Sequence, residues 1–430
     1  MRSAQSLAAA LVERGLDAHE RAAKAAMFDR VLRRFADHAG GEPDHAWWVP
    51  GRLEVFGKHT DYAGGRTLVC AVPRGFAVVA RRRDDGELHV LDAKRGESFV
   101  LHAWDADTHT GWRHYVEVVA RRFSRNFPGA PLGADIVVES DLPRASGMSS
   151  SSALIVAVAE ALVRIGEIDR HTEWRANIRS PLDAASYFGC LENGMPFGSL
   201  AGDAGVGTHG GSEDHAAIVT GVPGTLSACR FVPMRRLDDV RVPDEWRFVL
   251  SPCGIAARKA GTEMHKYNRL SQGAGLLIDL WNTSQPHADS LGAIAASPEQ
   301  VTRLRQMIRG SRIAGWPADA LERRLDHFVR EDGRVPEAVH AFQTFDASRL
   351  GRLAEESQKD AEVLLANQIP ETIALARSAR ERGAFAACSF GAGFGGSVWA
   401  LVHRAHAGAF AARWHEEAFV AAPGPPLTEL

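Results

Sequence analysis

Ser146-Gly147-Met148-Ser149-Ser150-Ser151-Ser152-Ala153 is the stretch on which the reading of this chain turns. Residues 134–139 before it alternate as a strand does, and residues 149–165 carry the small and aliphatic side chains of a long helix. A loop between strand and helix offers unpaired backbone N–H groups and the positive end of a helix dipole, so phosphate is its natural occupant. Gly147 permits close main-chain approach, and the serine hydroxyls suit phosphate oxygens or a hard cation such as Mg²⁺. Serine is also a common helix cap, and the loop alone leaves that structural role open.

Outward from this loop, residues 4–38 have helical spacing and predict one or two amphipathic helices before Pro43. Residues 53–56, 66–72 and 76–81 read as strands, separated by Gly64-Gly65 and Pro73-Arg74-Gly75, with Asp84-Asp85-Gly86 as the next hairpin turn. A helix is predicted over 111–126. Residues 193–212 are rich in glycine and read as a loop with function or mobility. Strand patterning returns over 226–251, and helices dominate from 256 to about 379, including an amphipathic one over 318–331. Strands over 384–389 and 398–403 flank a second glycine-rich loop. With no internal repeat, this order points to α+β architecture rather than successive βαβ units.

Composition sets the outer limits. At 430 residues the chain has room for two or three domains with cores of their own. Its 50 Lys+Arg against 53 Asp+Glu leave a formal charge of −3, without the basic surplus that would draw it to nucleic acid or an anionic membrane. Cys70, Cys190, Cys229, Cys253 and Cys388 are odd in number and form no CxxC pair, so neither a disulfide framework nor a thiolate zinc site is indicated. No secretory leader or run of about 18 apolar residues is present, and a cytoplasmic setting is expected. Oligomeric state is left open.

Three further stretches bear chemistry. Gly57-Lys58-His59-Thr60-Asp61-Tyr62-Ala63-Gly64-Gly65 concentrates hydrogen-bonding groups suited to a polyol or sugar, with Asp61 able to accept from two vicinal hydroxyls. Structural hydrogen bonding for His59 and a solvated charge for Lys58 are the plainer readings. Gly210-Gly211-Ser212-Glu213-Asp214-His215 could supply a general base or a metal patch, or simply be a solvated acidic turn. In an extended chain Glu213 and Asp214 would face opposite sides, so one of them at most is expected in any one pocket. Gly391-Ala392-Gly393-Phe394-Gly395-Gly396 precedes a strand and lacks the context of a dinucleotide fingerprint; it can wrap a phosphate or a neighbouring loop.

Together these stretches resemble the signature motifs of the GHMP small-molecule kinases, and of galactokinases in particular. Residues 49–62, Val-Pro-Gly-Arg-Leu-Glu-Val-Phe-Gly-Lys-His-Thr-Asp-Tyr, are similar to PGRxNxxGEHTDY. Residues 143–153 are similar to the nucleotide loop PxGAGLSSSAS, and 390–397 to TGGGFGGC. Gly211-Ser212-Glu213-Asp214-His215 corresponds to GxMDQ, and Glu263 with Tyr267-Asn268-Arg269 to xEYNxR. The resemblance spans about residues 48–403.

It implies a two-lobed GHMP kinase fold, with a ribosomal-S5-domain-2-like N-terminal lobe over 1–235 and a ferredoxin-like C-terminal lobe over 236–430. It implies ATP-dependent phosphorylation of the anomeric hydroxyl of galactose or a related sugar, with sugar and ATP as the partners. Asp214 would take the proton and Arg52 would keep it ionised and stabilise the transferring phosphoryl group. Ala145, Ser146, Gly147, Met148, Ser149, Ser150 and Ser151 would hold the nucleotide phosphates, and Ser151 and Glu192 would ligate Mg²⁺. Lys58, His59, Thr60, Asp61 and Tyr267 match sugar-binding positions.

The departures fall at the sugar end. Lys58 replaces an acceptor glutamate with a group that only donates. Either it turns out of a pocket that takes galactose, or it meets an acceptor such as a uronate carboxylate. Glu54 stands for Asn and His215 for Gln, Cys388 and Phe390 depart from the third motif, and an insertion over 194–206 could form a lid. A kinase for a uronic acid or other non-galactose substrate, and a sensor that binds sugar and ATP without turnover, are the alternative functions.

Overall fold

The computed structural model describes residues 3–102, 110–143, 146–255 and 262–430. Strands are numbered in chain order: β1 His45–Phe56, β2 Arg66–Arg82, β3 Glu87–Asp92, β4 Glu97–His102, β5 Ala134–Ser140, β6 Thr225–Arg230, β7 Arg235–Arg241, β8 Trp246–Pro252, β9 Ala386–Phe390, β10 Ser397–His403, β11 Phe419–Ala421 and β12 Thr428–Glu429. The larger sheet runs β12-β1-β2-β5-β3-β4, with β6 also paired to β2 and β7 to β6; β3 and β5 are parallel and the remaining pairs antiparallel. The smaller is antiparallel, in the order β11-β8-β10-β9.

Helices α1 Ala4–Glu13, α2 Arg21–Ala39, α3 Trp112–Asn126, α4 Ser150–Ile165, α5 Thr172–Asn177, α6 Pro181–Asn193 and α7 Glu213–Thr220 cover the larger sheet or lie beside it. Because side chains alternate along a strand, β1 serves two cores at once. Ala46 and Trp48 join Phe28, Val31 and Phe35 of α2, while Trp47 and Val49 face the core that holds α4. That helix is apolar nearly all round, as a helix enclosed on every side must be.

In the second lobe, α8 Thr262–Asn282, α9 Leu291–Ile294, α10 Pro298–Gly310, α11 Ala318–Gln343, α12 Ala347–Asp360, α13 Pro370–Glu381 and α14 Ala407–Trp414 accompany the smaller sheet. Val249, Ala387 and Val398 pack with α13 and α14, whereas Phe248, Cys388 and Trp399 face the first lobe's core. Phe56 and Trp399 meet edge to face at 5.9 Å, so the apolar interior runs unbroken from one lobe to the other.

Mixed helix and sheet content agrees with the α+β expectation, but four details differ. Pro73 lies inside a continuous β2 rather than in a turn. Register slips there, with Pro50 opposite Gly75 and Arg52 opposite Ala71, so a proline without an N–H loses no ladder bond. The turn at Asp84-Asp85-Gly86 does not close a hairpin, because β3 pairs with β4 and β5 instead of β2. Helix α11 runs to Gln343, beyond the expected 331, and contains Pro336; its buried Val335, Ala338 and Phe342 offset the roughly 3 kcal/mol that an interior proline costs. Finally, β7 and β12 both belong to the larger sheet, so the strand pairing carries the first lobe through Arg241 and returns the chain to it at Thr428.

Candidate active site

Strand β1 and helix α7 bring the two principal site residues together. Arg52 Nε donates to Asp214 Oδ1 at 2.5 Å, and both residues line one cleft. The guanidinium also donates through Nη1 to the carbonyl of Gly147, while the backbone N–H of Arg52 donates to Met148 O at 3.2 Å. One arginine therefore ties the first motif, the serine loop and the aspartate. Burial works against its charge, but the carboxylates of Asp214, Glu213 and Glu54 more than offset this and hold the guanidinium protonated.

Glu213 also lines the cleft, which corrects the expectation that only one of the adjacent acids could. The chain is helical from Glu213 onward, so the two side chains diverge by about 100° rather than 180°. Glu213 N–H donates to Asp61 Oδ2 at 3.2 Å. Gly211 makes room for that carboxylate, since a Cβ there would lie 2.0 Å from Asp61 Oδ2. Burial, with the nearby charges of Asp214 and Glu54, raises Asp61 to about 6 against these backbone hydrogen bonds.

The serine loop does not cap its helix in the usual way. Ser149, at φ 58°, is left-handed and makes no side-chain cap, so the first N–H groups of α4 are not taken by it. Gly147, at φ +72°, packs against Gly391 of the third motif, and Ser397 Oγ donates to Ser146 O at 2.6 Å. The second glycine-rich loop thus braces the first. Ser151 Oγ lies 3.3 Å from Glu192 Oε1, and Ser152 Oγ lies between Glu192 Oε2 at 2.7 Å and Asp214 Oδ2 at 3.1 Å. His215 Nε2 is 3.3 Å from Glu192 Oε2. Ala145 falls outside the described residues, as does the side chain of Glu263.

Of the five sequence-selected sugar positions, His59, Asp61 and Tyr267 line the cleft, and two do not. Lys58 is fully buried and directed elsewhere. Its Nζ donates to Ser357 Oγ at 2.8 Å and Cys388 Sγ at 3.0 Å, beside Glu331. Thr60 Oγ1 is spent on the turn, 2.8 Å from Gly57 O and 2.7 Å from Arg66 O. His59 is held by Tyr62 OH at 3.0 Å and Ala392 O at 3.1 Å. The 194–206 segment is tied down to α3: Arg121 Nε donates to Asp203 at 2.9 Å and Arg122 Nη2 to Met195 O at 2.8 Å.

A second concavity was not anticipated. It opens beside Ser150 and Ser151 and is lined by Trp112, Tyr115 and Leu154 together with both Lys94 and Arg95 and Asp92 and Glu97. The one sequence signal was the aromatic pair three residues apart at the start of α3.

Residues 33–82 match the family model for the galactokinase galactose-binding signature, 114–189 that for the GHMP kinases N terminal domain, and 338–421 that for the GHMP kinases C terminal domain. The galactokinase of Chloroflexus aurantiacus is 30% identical over 390 residues, covering 88% of this chain and 89% of that protein. The galactokinase of Actinobacillus pleuropneumoniae serotype 3 is 24% identical over 379 residues, covering 86% and 88%. The crystal structure of Lactococcus lactis galactokinase complexed with galactose superposes with a TM-score of 0.74 at 21% identity, over 94% of this chain and all of that one. A mevalonate kinase superposes at 0.54 with 13% identity, over 88% and 98%.

Proposed function

This chain belongs to the galactokinase family of GHMP kinases and uses ATP to phosphorylate the anomeric hydroxyl of a monosaccharide; on that premise we propose that Asp214 and Arg52 carry the transfer, with a galactose-type hexose as acceptor. The observation that carries this reading is the 2.5 Å contact between Arg52 and Asp214, made by an arginine that also grips the serine loop.

Asp214 accepts the anomeric proton as the hydroxyl oxygen attacks the γ-phosphorus. The guanidinium of Arg52 keeps the carboxylate oriented and balances charge on the phosphoryl oxygens in a loose transition state. Ser146 to Ser151, with the open N–H groups of α4, hold the phosphates, and the Trp112–Tyr115 slot takes the base. Asp61 and Tyr267 orient the sugar; burial drives the Tyr267 phenol well above its usual range, so it stays a neutral donor. Ser151 and Glu192, a hydroxyl beside a carboxylate, fit the hard-oxygen preference of Mg²⁺, and phosphate oxygens and water would complete its shell. When bound, the metal would neutralise charge on the phosphate oxygens. A cytoplasmic setting belongs to the same proposal; no helix among the described residues is long and apolar enough to cross a membrane.

A uronate substrate loses its support because the ammonium of Lys58 is occupied outside the cleft, whose walls include Glu54, Asp61, Glu192, Glu213 and Asp214. ADP release measured with galactose, other hexoses and uronic acids tests the assignment. Turnover of galactose is expected. Preference for a uronate would overturn the sugar assignment, and binding of ATP and sugar without ADP release would overturn the transfer.

A further inference from the structure

Two departures from the family motifs, far apart in sequence, meet in the folded chain. Glu54 stands where the first motif has asparagine, and Glu213 where GxMDQ has methionine. Arg52 and Glu54, two apart on β1, share a face of that strand. Glu213 opens α7, and its carboxyl and that of Glu54 line the same cleft beside the Arg52 guanidinium. The pair is enclosed, Glu54 being 1% exposed and Glu213 7%. Glu54 Oε1 and Glu213 Oε2 are both buried without a hydrogen-bond donor among the described residues, so a proton held between the two carboxyls would satisfy both.

Two carboxyl groups can hydrogen-bond only if one carries a proton. Position identifies the bearer. Glu213 is surrounded by Glu54, Asp61 and Asp214, with Arg52 as its cation; Glu54 has Arg52 and Lys58 as cations and Glu331 as a further anion. Burial and the three neighbouring carboxylates drive the Glu213 carboxyl well above its ordinary range. The bond lengths agree: Arg52 approaches Asp214 to 2.5 Å but leaves Glu213 at 3.5 Å, a weak contact for an ionised partner in so enclosed a place.

We propose that Glu54 and Glu213 share one proton and thereby act as positioning residues for the transfer, leaving the guanidinium of Arg52 to Asp214 and the phosphoryl oxygens. Loss of that proton would place two anions side by side, draw Arg52 toward Glu213, and add negative charge where the γ-phosphate must enter. Activity would then fall on the alkaline side, because the competent form is the protonated one.

This inference rests on the reading of Asp214 and Arg52 as the transfer residues, so its test needs one measurement that does not depend on turnover. Infrared spectra of the full-length protein with ¹³C-labelled glutamate should show at neutral pH, over the constant contribution of the buried Glu160, a protonated carboxyl band that is absent from Glu213→Gln and displaced in Glu54→Gln, where its partner is gone. In kinetics, kcat of the wild type should fall about tenfold per pH unit above the pair's titration. Glu213→Gln keeps a donor toward Glu54 and should remove that alkaline limb, whereas Glu213→Leu should be at least about tenfold slower than Glu213→Gln across the range. Absence of the band, or an alkaline limb unchanged in Glu213→Gln, would overturn the proton-sharing pair. A present band together with an unimpaired Asp214→Asn enzyme would overturn the transfer reading instead, and the positioning role with it.

Discussion

Asp214 and Asp61 sit in one cleft and, on the proposed reading, both work as carboxylates, one toward a proton and the other toward sugar hydroxyls; substitution separates the two roles. Asp214→Asn keeps the shape and removes the base, so kcat should drop about 10²-fold to 10⁴-fold in an ADP-release assay while far-ultraviolet circular dichroism is unchanged. On the proposed reading Asp61 accepts from two sugar hydroxyls at once, which the ionised carboxylate does best. With its folded value raised to about 6, the ionised form is full above that pH and is lost as pH falls through it. The KM for sugar should accordingly rise about tenfold between pH 7 and pH 5, with kcat less affected, and Asp61→Asn should be weak throughout and nearly flat with pH. Arg52, Asp214 and the serine run were legible because their motifs are short and their chemistry is local. The direction of Lys58 was not, since it is set by Ser357, Cys388 and Glu331, hundreds of residues downstream.

Those downstream partners act at the scale of elements. Glu331 on α11 accepts from the backbone N–H of Gly57 at 3.0 Å and of Lys58 at 3.3 Å, and from Ser357 Oγ of α12 at 3.0 Å. It also pairs with Arg334 at 2.9 Å, which in turn grips Asp360. Burial would raise the carboxyl of Glu331, but Lys58, Arg334 and the Gly57 N–H hold it near about 2. The stability this contributes is present above the ordinary glutamate range and is lost as pH falls toward 2. Glu331→Ala leaves Lys58 buried without its counter-charge and should cost about 3–5 kcal/mol in urea unfolding at pH 7. The double variant Lys58→Met, Glu331→Met should recover much of that loss. Element boundaries show the same limit of the sequence. Pro73 looks like a break until β1 supplies the slipped register that tolerates it, and Pro336 looks like a stop until the core supplies Val335 and Phe342 with neighbours.

At the scale of the molecule, the two glycine-rich loops come from different lobes and brace one another around Gly147, so the proposed phosphate end of the site exists only when the lobes are joined. The proposed base slot is built otherwise, from β2, β3, β4, β5, α3 and α4 of the first lobe alone. Trp112→Ala should therefore raise the KM for ATP on the order of tenfold and leave the KM for sugar nearly unchanged, as read from initial rates with each substrate varied. No motif marked this slot, because stacking on a base asks for aromatic area in the right place and tolerates many sequences that provide it.

The pairing of β12 with β1 carries a consequence for biosynthesis. Trp47 and Trp48 of β1 lie opposite Glu429 and Thr428, and Leu430 N–H donates to Ala46 O at 2.9 Å. A ribosome delivers β1 early and β12 only after every helix of the second lobe has emerged. The nascent larger sheet must wait with an exposed margin while its last strand is still being translated, and an exposed margin of that kind is open to pairing with other chains. Completion of the first lobe is thus timed by completion of the second.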